Sequence, residues 1–272
     1  MCATCGCGND SAVITLAGDG RHDHHHDHLH DHEHPHDHAH VHTERISLEQ
    51  KVLAKNDLIA ERNRAWLAKR NILALNITSS PGAGKTTLLE RTIGKLASHR
   101  TVCVIEGDQE TLLDAERIRA AGAAAVQVNT GAGCHLDAEM VRRALETLDP
   151  QPQSLLFIEN VGNLVCPAMF DLGEYSKLVV ISVTEGADKP LKYPHMFAAA
   201  RLVVLNKIDL LPYVDFDLEK FGTFVKSINP TAEILPLSAT TGDGTARWLD
   251  WIELRANGDM SQRPVDKTFA RE

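Results

Sequence analysis

Ile72-Leu-Ala-Leu-Asn-Ile-Thr78 runs into Ser79-Ser80-Pro81-Gly82-Ala83-Gly84-Lys85-Thr86-Thr87, and the pattern then turns helical through Leu88-Leu-Glu-Arg-Thr-Ile-Gly-Lys-Leu96. An apolar strand, a glycine-rich turn and an amphipathic helix in that order form a phosphate-binding loop. Gly82 and Gly84 let backbone N–H groups turn inward around phosphate oxygens, with Ala83 between them. Lys85 reaches the β- and γ-phosphates, and the Thr86 hydroxyl suits Mg²⁺, with Thr87 beside it. The helix that follows points its positive dipole end at the same anion. Ser79 stands where the general motif has glycine.

Outward from this loop, strand and helix patterns alternate with short turns. Strands are expected at residues 72–78, 101–106, 124–128, 154–160, 178–184, 202–206 and 233–237. Helices are expected at 85–97, 115–121, 136–148, 216–228 and 246–254. Runs such as Leu178-Val-Val-Ile-Ser-Val183 read as strands buried on both faces, as parallel strands are. The expectation is a three-layer α/β domain over residues 46–256 with a mostly parallel sheet and ligands at the carboxyl ends of its strands. Ser47 and Gln50 form a capping-box pair that would start a leading helix to about Arg70. Residues 257–272 are polar and read as a frayed tail.

Asn206-Lys207-Ile208-Asp209 closes one buried strand. A carboxylate at Asp209 can accept both N1–H and the N2 amino group of guanine, whereas adenine offers only an acceptor at N1. Asn206 would hold N7 and the loop, Lys207 would lay its stem over the base, and Ser238-Ala239-Thr240 offers a backbone N–H to O6. Glu106-Gly107-Asp108 and Glu159-Asn160 place carboxylates at the same sheet edge. Asp108 is a candidate Mg²⁺ ligand beside Thr86, and either Asp108 or Glu159 could orient an attacking water. Lys85, Asp108 and Glu159 are therefore the candidate catalytic groups.

The first 45 residues differ in kind. Cys2, Cys5 and Cys7 form a Cys-x-x-Cys-x-Cys cluster suited to Ni(II), Zn(II) or Cu(I). Twelve histidines follow among acids, His22, His24, His25, His26, His28, His30, His32, His34, His36, His38, His40 and His42. That tract has too little apolar content to fold alone, and suits weak storage of several Ni(II) ions. Two further loops carry soft ligands, Cys134-His135 and Cys166, which would share the nucleotide edge of the sheet. Three such ligands leave a tetrahedral zinc or nickel site open, or require sharing across a dimer. The net charge of −9 over 272 residues argues against a general nucleic-acid binder. No apolar run reaches bilayer length and no signal-peptide pattern opens the chain, so a cytoplasmic, membrane-free protein is expected.

Taken together, Cys2-x-x-Cys5-x-Cys7, the His-rich arm, Ser80-Pro-Gly-Ala-Gly-Lys-Thr86, Gly107-Asp-Gln109, Gly131-Ala-Gly-Cys-His-Leu-Asp137, Glu159-Asn-Val-Gly-Asn-Leu-Val-Cys-Pro167, Asp188-Lys-Pro-Leu-Lys-Tyr-Pro194 and Asn206-Lys-Ile-Asp209 resemble the HypB family of hydrogenase nickel-incorporation GTPases. Ser79 is common in that family's loop. The resemblance implies a GTPase of the signal-recognition-particle and MinD-like class that forms a homodimer on GTP, hydrolyses it slowly and helps deliver nickel to the [NiFe]-hydrogenase large subunit. The partners it implies are the HypA-type zinc accessory protein, the large-subunit precursor and, in some members, a further nickel chaperone. GTP, Mg²⁺, Ni²⁺ and Zn²⁺ are the implied cofactors. A urease nickel-insertion protein would share the loop but lacks the Cys triplet and the Cys134-His135 pair. A metal-storage protein with a vestigial nucleotide site is opposed by intact Lys85, Thr86 and Asp209, and an ATP-dependent kinase by the guanine loop.

The arm is testable by itself. Ni(II) titration of the full chain should show one tight phase with its own thiolate-to-metal absorption, and C2A/C5A/C7A should remove that phase, leaving only the weaker band of any site at Cys134 and Cys166. The histidine ions should add without a band and leave below about pH 6 as imidazoles protonate. A tight phase that survives the triple replacement would place the tight site elsewhere.

Overall fold

Alternation along the β1 strand (Leu73–Ser79) already divides the interior into two halves. Leu73, Leu75 and Ile77 face one apolar cluster with Leu88, Leu89 and Ile93 of α2 (Lys85–Leu96) and Trp248, Trp251 and Ile252 of α9 (Thr245–Ala256). Ala74, between them, joins Leu67 of α1 (His38–Lys69) and Val141 and Leu145 of α4 (Ala138–Leu148) on the other face. A third cluster packs Val179, Ile181, Val203 and Leu205 against Met196, Phe197, Phe221 and Val225. Period-two alternation with apolar residues on both sides is what covers a sheet with helices twice, giving three layers.

A computed structural model describes residues 38–108, 113–131 and 133–258. The chain separates into Met1–Lys51 and Val52–Glu272, and everything described from Val52 onward belongs to the second unit. Besides β1, the strands are β2 (Val102–Asp108), β3 (Ala124–Asn129), β4 (Leu155–Gly162), β5 (Ser176–Ser182), β6 (Ala200–Asn206) and β7 (Glu233–Pro236). They form one sheet in the order β3-β2-β4-β1-β5-β6-β7. Every described pairing is parallel, so the sheet is parallel throughout rather than mostly so. The remaining helices are α3 (Leu113–Ala120), α5 (Cys166–Met169), α6 (Lys189–Lys192), α7 (Pro194–Ala199) and α8 (Leu218–Ile228). No helix among the described residues is long and apolar enough to cross a membrane.

Two local readings of the sequence change. The leading helix begins at His38, and Ser47 lies inside it. The capping box is overridden because neither glycine nor proline occurs between Pro35 and Pro81, so nothing interrupts the helix upstream of Ser47. The helix expected from Leu136 starts instead at Ala138, where Asp137 accepts from the Met140 N–H at 2.7 Å as N-cap. Cys2, Cys5, Cys7 and the histidines from His22 to His36 lie outside the described residues.

Helix α1 is pinned by polar contacts rather than by apolar packing alone. Asn56 donates to the Asp171 carbonyl at 2.8 Å and accepts from the Ala138 N–H at 2.9 Å. Asn63 donates to the carbonyls of Ala138 and Leu172, and Arg64 pairs with Asp171. The loop approaches so closely that a Cβ on Gly173, where φ is +89°, would stand 2.5 Å from the Ala60 carbonyl oxygen and 2.6 Å from the Asn63 Cβ. Gly173→Ala should therefore cost about 2–3 kcal/mol in chemical denaturation. A loss below about 0.5 kcal/mol would show that the helix yields to the methyl group.

Candidate nucleotide and metal site

The carboxyl ends of β1, β2 and β4 converge on the phosphate-binding loop. Lys85 folds back so that Nζ donates to Ser79 Oγ at 2.7 Å, and Ser79 Oγ in turn donates to the Ser80 carbonyl at 2.6 Å. Serine in place of the general glycine thus holds the lysine. Gly84 has φ +96°, and a Cβ there would meet Asn206 Nδ2 at 2.5 Å. Only glycine satisfies both the left-handed backbone and that contact.

Thr86 Oγ1 lies 2.8 Å from Glu159 Oε1 and 3.2 Å from Asp114 Oδ2. Glu159 and Glu106 are neighbours in the β2–β4 register, and both are buried, at 4% and 2% exposure. One oxygen of each, Oε2, has no hydrogen-bond partner. Burial, then the nearby Glu159 charge, pushes Glu106 up to about 8. Burial also raises Glu159, against the opposing pull of Lys85 and Thr86. The Lys85 ammonium is lowered by its own burial, while Glu159, Asp114 and Glu106 draw it back up. Four carboxylates, Glu185 the fourth, act on the one ammonium of Lys85, and a divalent cation would offset carboxylate charge there. The donor set of hydroxyl and carboxylate oxygens is the one Mg²⁺ takes.

The sequence reading placed Asp108 in this role. Asp108 is half-buried at the end of β2, two residues beyond Glu106, and its carbonyl accepts from the Thr130 N–H at 3.0 Å. Glu159, Asp114, Glu106 and Glu185 are carboxylates whose charge acts on Lys85, and Asp114 shares the Thr86 hydroxyl with Glu159. Asp114 lies beyond residues 109–112, where no periodic signal connects it to the loop.

Asn206, Lys207 and Ala239 meet beside the phosphate loop. Asn206 donates to the Ala83 carbonyl at 2.8 Å and accepts from the N–H groups of Lys207 and Ala239 at 2.8 and 3.0 Å. Lys207, in the left-handed region at φ +63°, donates to the Gly82 carbonyl at 2.8 Å. Asp209 keeps one buried oxygen, Oδ1, without a hydrogen-bond partner, as a carboxylate awaiting a donor pair would. The backbone N–H groups of Ser238 and Ala239 are used within the protein, by the Asp243 carbonyl and by Asn206. The Thr240 carbonyl of the same loop is held by Arg91 at 2.5 Å.

Cys134, His135 and Cys166 offer ligand atoms all within 4.8 Å of one another. Cys134 Sγ lies 2.9 Å from Cys166 Sγ and 3.6 Å from His135 Nδ1. The His135 ring packs on Phe170 at 4.0 Å, and burial holds its imidazole below the ordinary range, against the pull of Asp137. A neutral imidazole is the form that ligates a metal. Asp137, not His135, caps α4, so the imidazole is left for other work.

Residues 73–236 match the family model of the CobW/HypB/UreG nucleotide-binding domain. The hydrogenase maturation factor HypB of Escherichia coli K12 is 58% identical over 208 residues, covering 76% of this chain and 72% of that one. A crystal structure of hydrogenase maturation factor HypB from Archaeoglobus fulgidus superposes with a TM-score of 0.71 at 41% identity, over 75% of this chain and all of that one. HypB from Helicobacter pylori, solved in complex with nickel, gives 0.70 at 36% identity over 74% and 95%.

The Glu106–Glu159 pair makes stability depend on pH. A carboxyl group raised in the folded state binds its proton there while the unfolded chain has released it. Its contribution to stability is full below about pH 4.5 and is lost as pH rises through about 8. In nucleotide-free and metal-free protein, Glu106→Gln should flatten the fall in unfolding midpoint across that window. An unchanged pH profile would show that Glu106 ionises normally.

Proposed function

This chain belongs to the HypB family of hydrogenase maturation factors, and from that premise we propose that it is a GTP-hydrolysing nickel metallochaperone for [NiFe]-hydrogenase maturation. The observation that carries the proposal is that one strand end serves two chemistries. From Glu159 in β4, which accepts from Thr86, the chain passes the strand end and reaches Cys166, which meets Cys134, seven residues on.

The chain's own groups account for hydrolysis of GTP to GDP and phosphate. Backbone N–H groups of Gly82, Ala83 and Gly84 and the Lys85 ammonium take the phosphate oxygens, and Lys85 follows the negative charge that develops toward the leaving GDP. Thr86, Glu159, Glu106, Asp114 and Asp108 would hold Mg²⁺, which would offset phosphate charge there. Glu159 or Asp108 orients the water whose oxygen attacks the γ-phosphorus. Asp209 accepts from guanine N1 and N2, and Asn206 and Lys207 keep the base loop against the phosphate loop.

Nickel is cargo rather than a resident group. Two thiolates and one imidazole suit Ni(II) or Zn(II) and leave a position open for exchange. Val165 and Met169, 54% and 51% exposed, flank Cys166 with apolar surface, which favours hand-over to a protein. We assign that role to a second copy of this chain bound on GTP, the HypA-type zinc accessory protein and the hydrogenase large-subunit precursor, in the cytoplasm. Cys2, Cys5, Cys7 and the histidine tract act upstream as nickel acquisition and storage.

Guanine selection tests the nucleotide half. Asp209→Asn should weaken GTP on the order of 100-fold relative to xanthosine triphosphate, whose C2 oxygen wants a donor. An unchanged ratio in competition binding would remove Asp209 from the base site.

A further inference from the structure

The metal ligands on the β3–α4 loop are held from across the site, by β4. His135 lies between two peptide groups, and both are hydrogen-bonded by asparagine side chains three residues apart. Asn163 Nδ2 donates to the Cys134 carbonyl at 3.2 Å, and Asn160 Oδ1 accepts from the Leu136 N–H at 3.1 Å. The polarity matches on each side, a donor to the carbonyl and an acceptor to the amide. Between the two asparagines, Gly162 lies against the phosphate loop, where a Cβ would come 3.1 Å from Pro81 Cα.

The two asparagines differ in surroundings. Asn160 is buried and also accepts from its neighbour Val161 N–H at 3.0 Å, while its Nδ2 reaches Asn76 Oδ1 at 3.4 Å. Asn163 is half-buried. Its Oδ1 accepts from the Val165 N–H at 2.8 Å, a local turn that leads into the helix of Cys166. One side chain therefore sets the backbone on both sides of the thiol pair, at Cys134 by donating and before Cys166 by accepting.

We propose that Asn163 is a positioning residue of the metal site: its amide clamps the Cys134–His135 backbone to the Cys166 loop and so fixes the separation of the two thiols. The inference rests on the reading of Cys134, His135 and Cys166 as a nickel site. Neither hydrogen bond touches a ligand atom. They act on the peptides that carry the ligands, which is how outer groups set first-shell geometry and affinity.

Two substitutions separate the clamp from the turn. Asn163→Ala removes both bonds. In Asn163→Ser the hydroxyl can still accept from the Val165 N–H, as serine does in such turns, but is too short to reach the Cys134 carbonyl. The assay is Ni(II) titration of the full chain carrying C2A/C5A/C7A, so that the thiolate-to-metal band reports on Cys134 and Cys166, with Cys103 buried in β2. Both variants should require at least about tenfold more Ni(II), and the band should shift as the thiolates move apart. Parent-like titration by Asn163→Ser, whatever Asn163→Ala does, would overturn the clamp. A band that persists when Cys134→Ala is added to the C2A/C5A/C7A parent would overturn the metal site itself, and this inference with it.

Discussion

Two carboxylates side by side in a dry sheet are the constraint on which the site depends. Glu106 and Glu159 pair across β2 and β4 with almost no solvent, and each keeps an oxygen without a hydrogen-bond partner. In water such a pair would cost little; at 2% and 4% exposure it is tolerable only if one group keeps a proton or a cation sits between them. Lys85 meets part of the demand, and its ammonium is itself destabilised by burial. A divalent cation beside the pair would meet the rest.

Everything else about the site follows from where β4 ends. Its last turn of chain contacts the phosphate loop through Gly162 and the metal loop through Asn160 and Asn163, then enters α5 at Cys166. Lys177, buried in β5, donates to the Pro167 and Phe170 carbonyls at 2.6 and 3.1 Å and fixes α5 from beneath.

Much of this was legible in the chain itself. The phosphate loop, all seven strands and the Asn206–Asp209 turn are local patterns, each carried by neighbouring residues. The meeting of Cys134, His135 and Cys166 was legible too, because parallel strands deliver their loops to one edge. What sequence order hides is lateral register: that Glu106 lies beside Glu159 is a property of the β2–β4 pairing. Single-turn helices such as Cys166–Met169 and Lys189–Lys192 are too short for periodicity, though Pro167 and Pro190 mark their first turns. The start of α1 was misread because a capping box is a local signal and the helix there continues through it. Asn160 and Asn163 stood in a recognised motif, but their partners lie on another loop.

The central claim is that nucleotide and metal occupy one edge, joined by β4. Phosphorus NMR of GDP bound to the full chain carrying C2A/C5A/C7A, with Co(II) loaded into the thiol site, measures this directly. Paramagnetic broadening of the α- and β-phosphate resonances that disappears when Cys134→Ala is added is the expected result. Sharp resonances with Co(II) bound to the thiols, as judged by their absorption band, would contradict it.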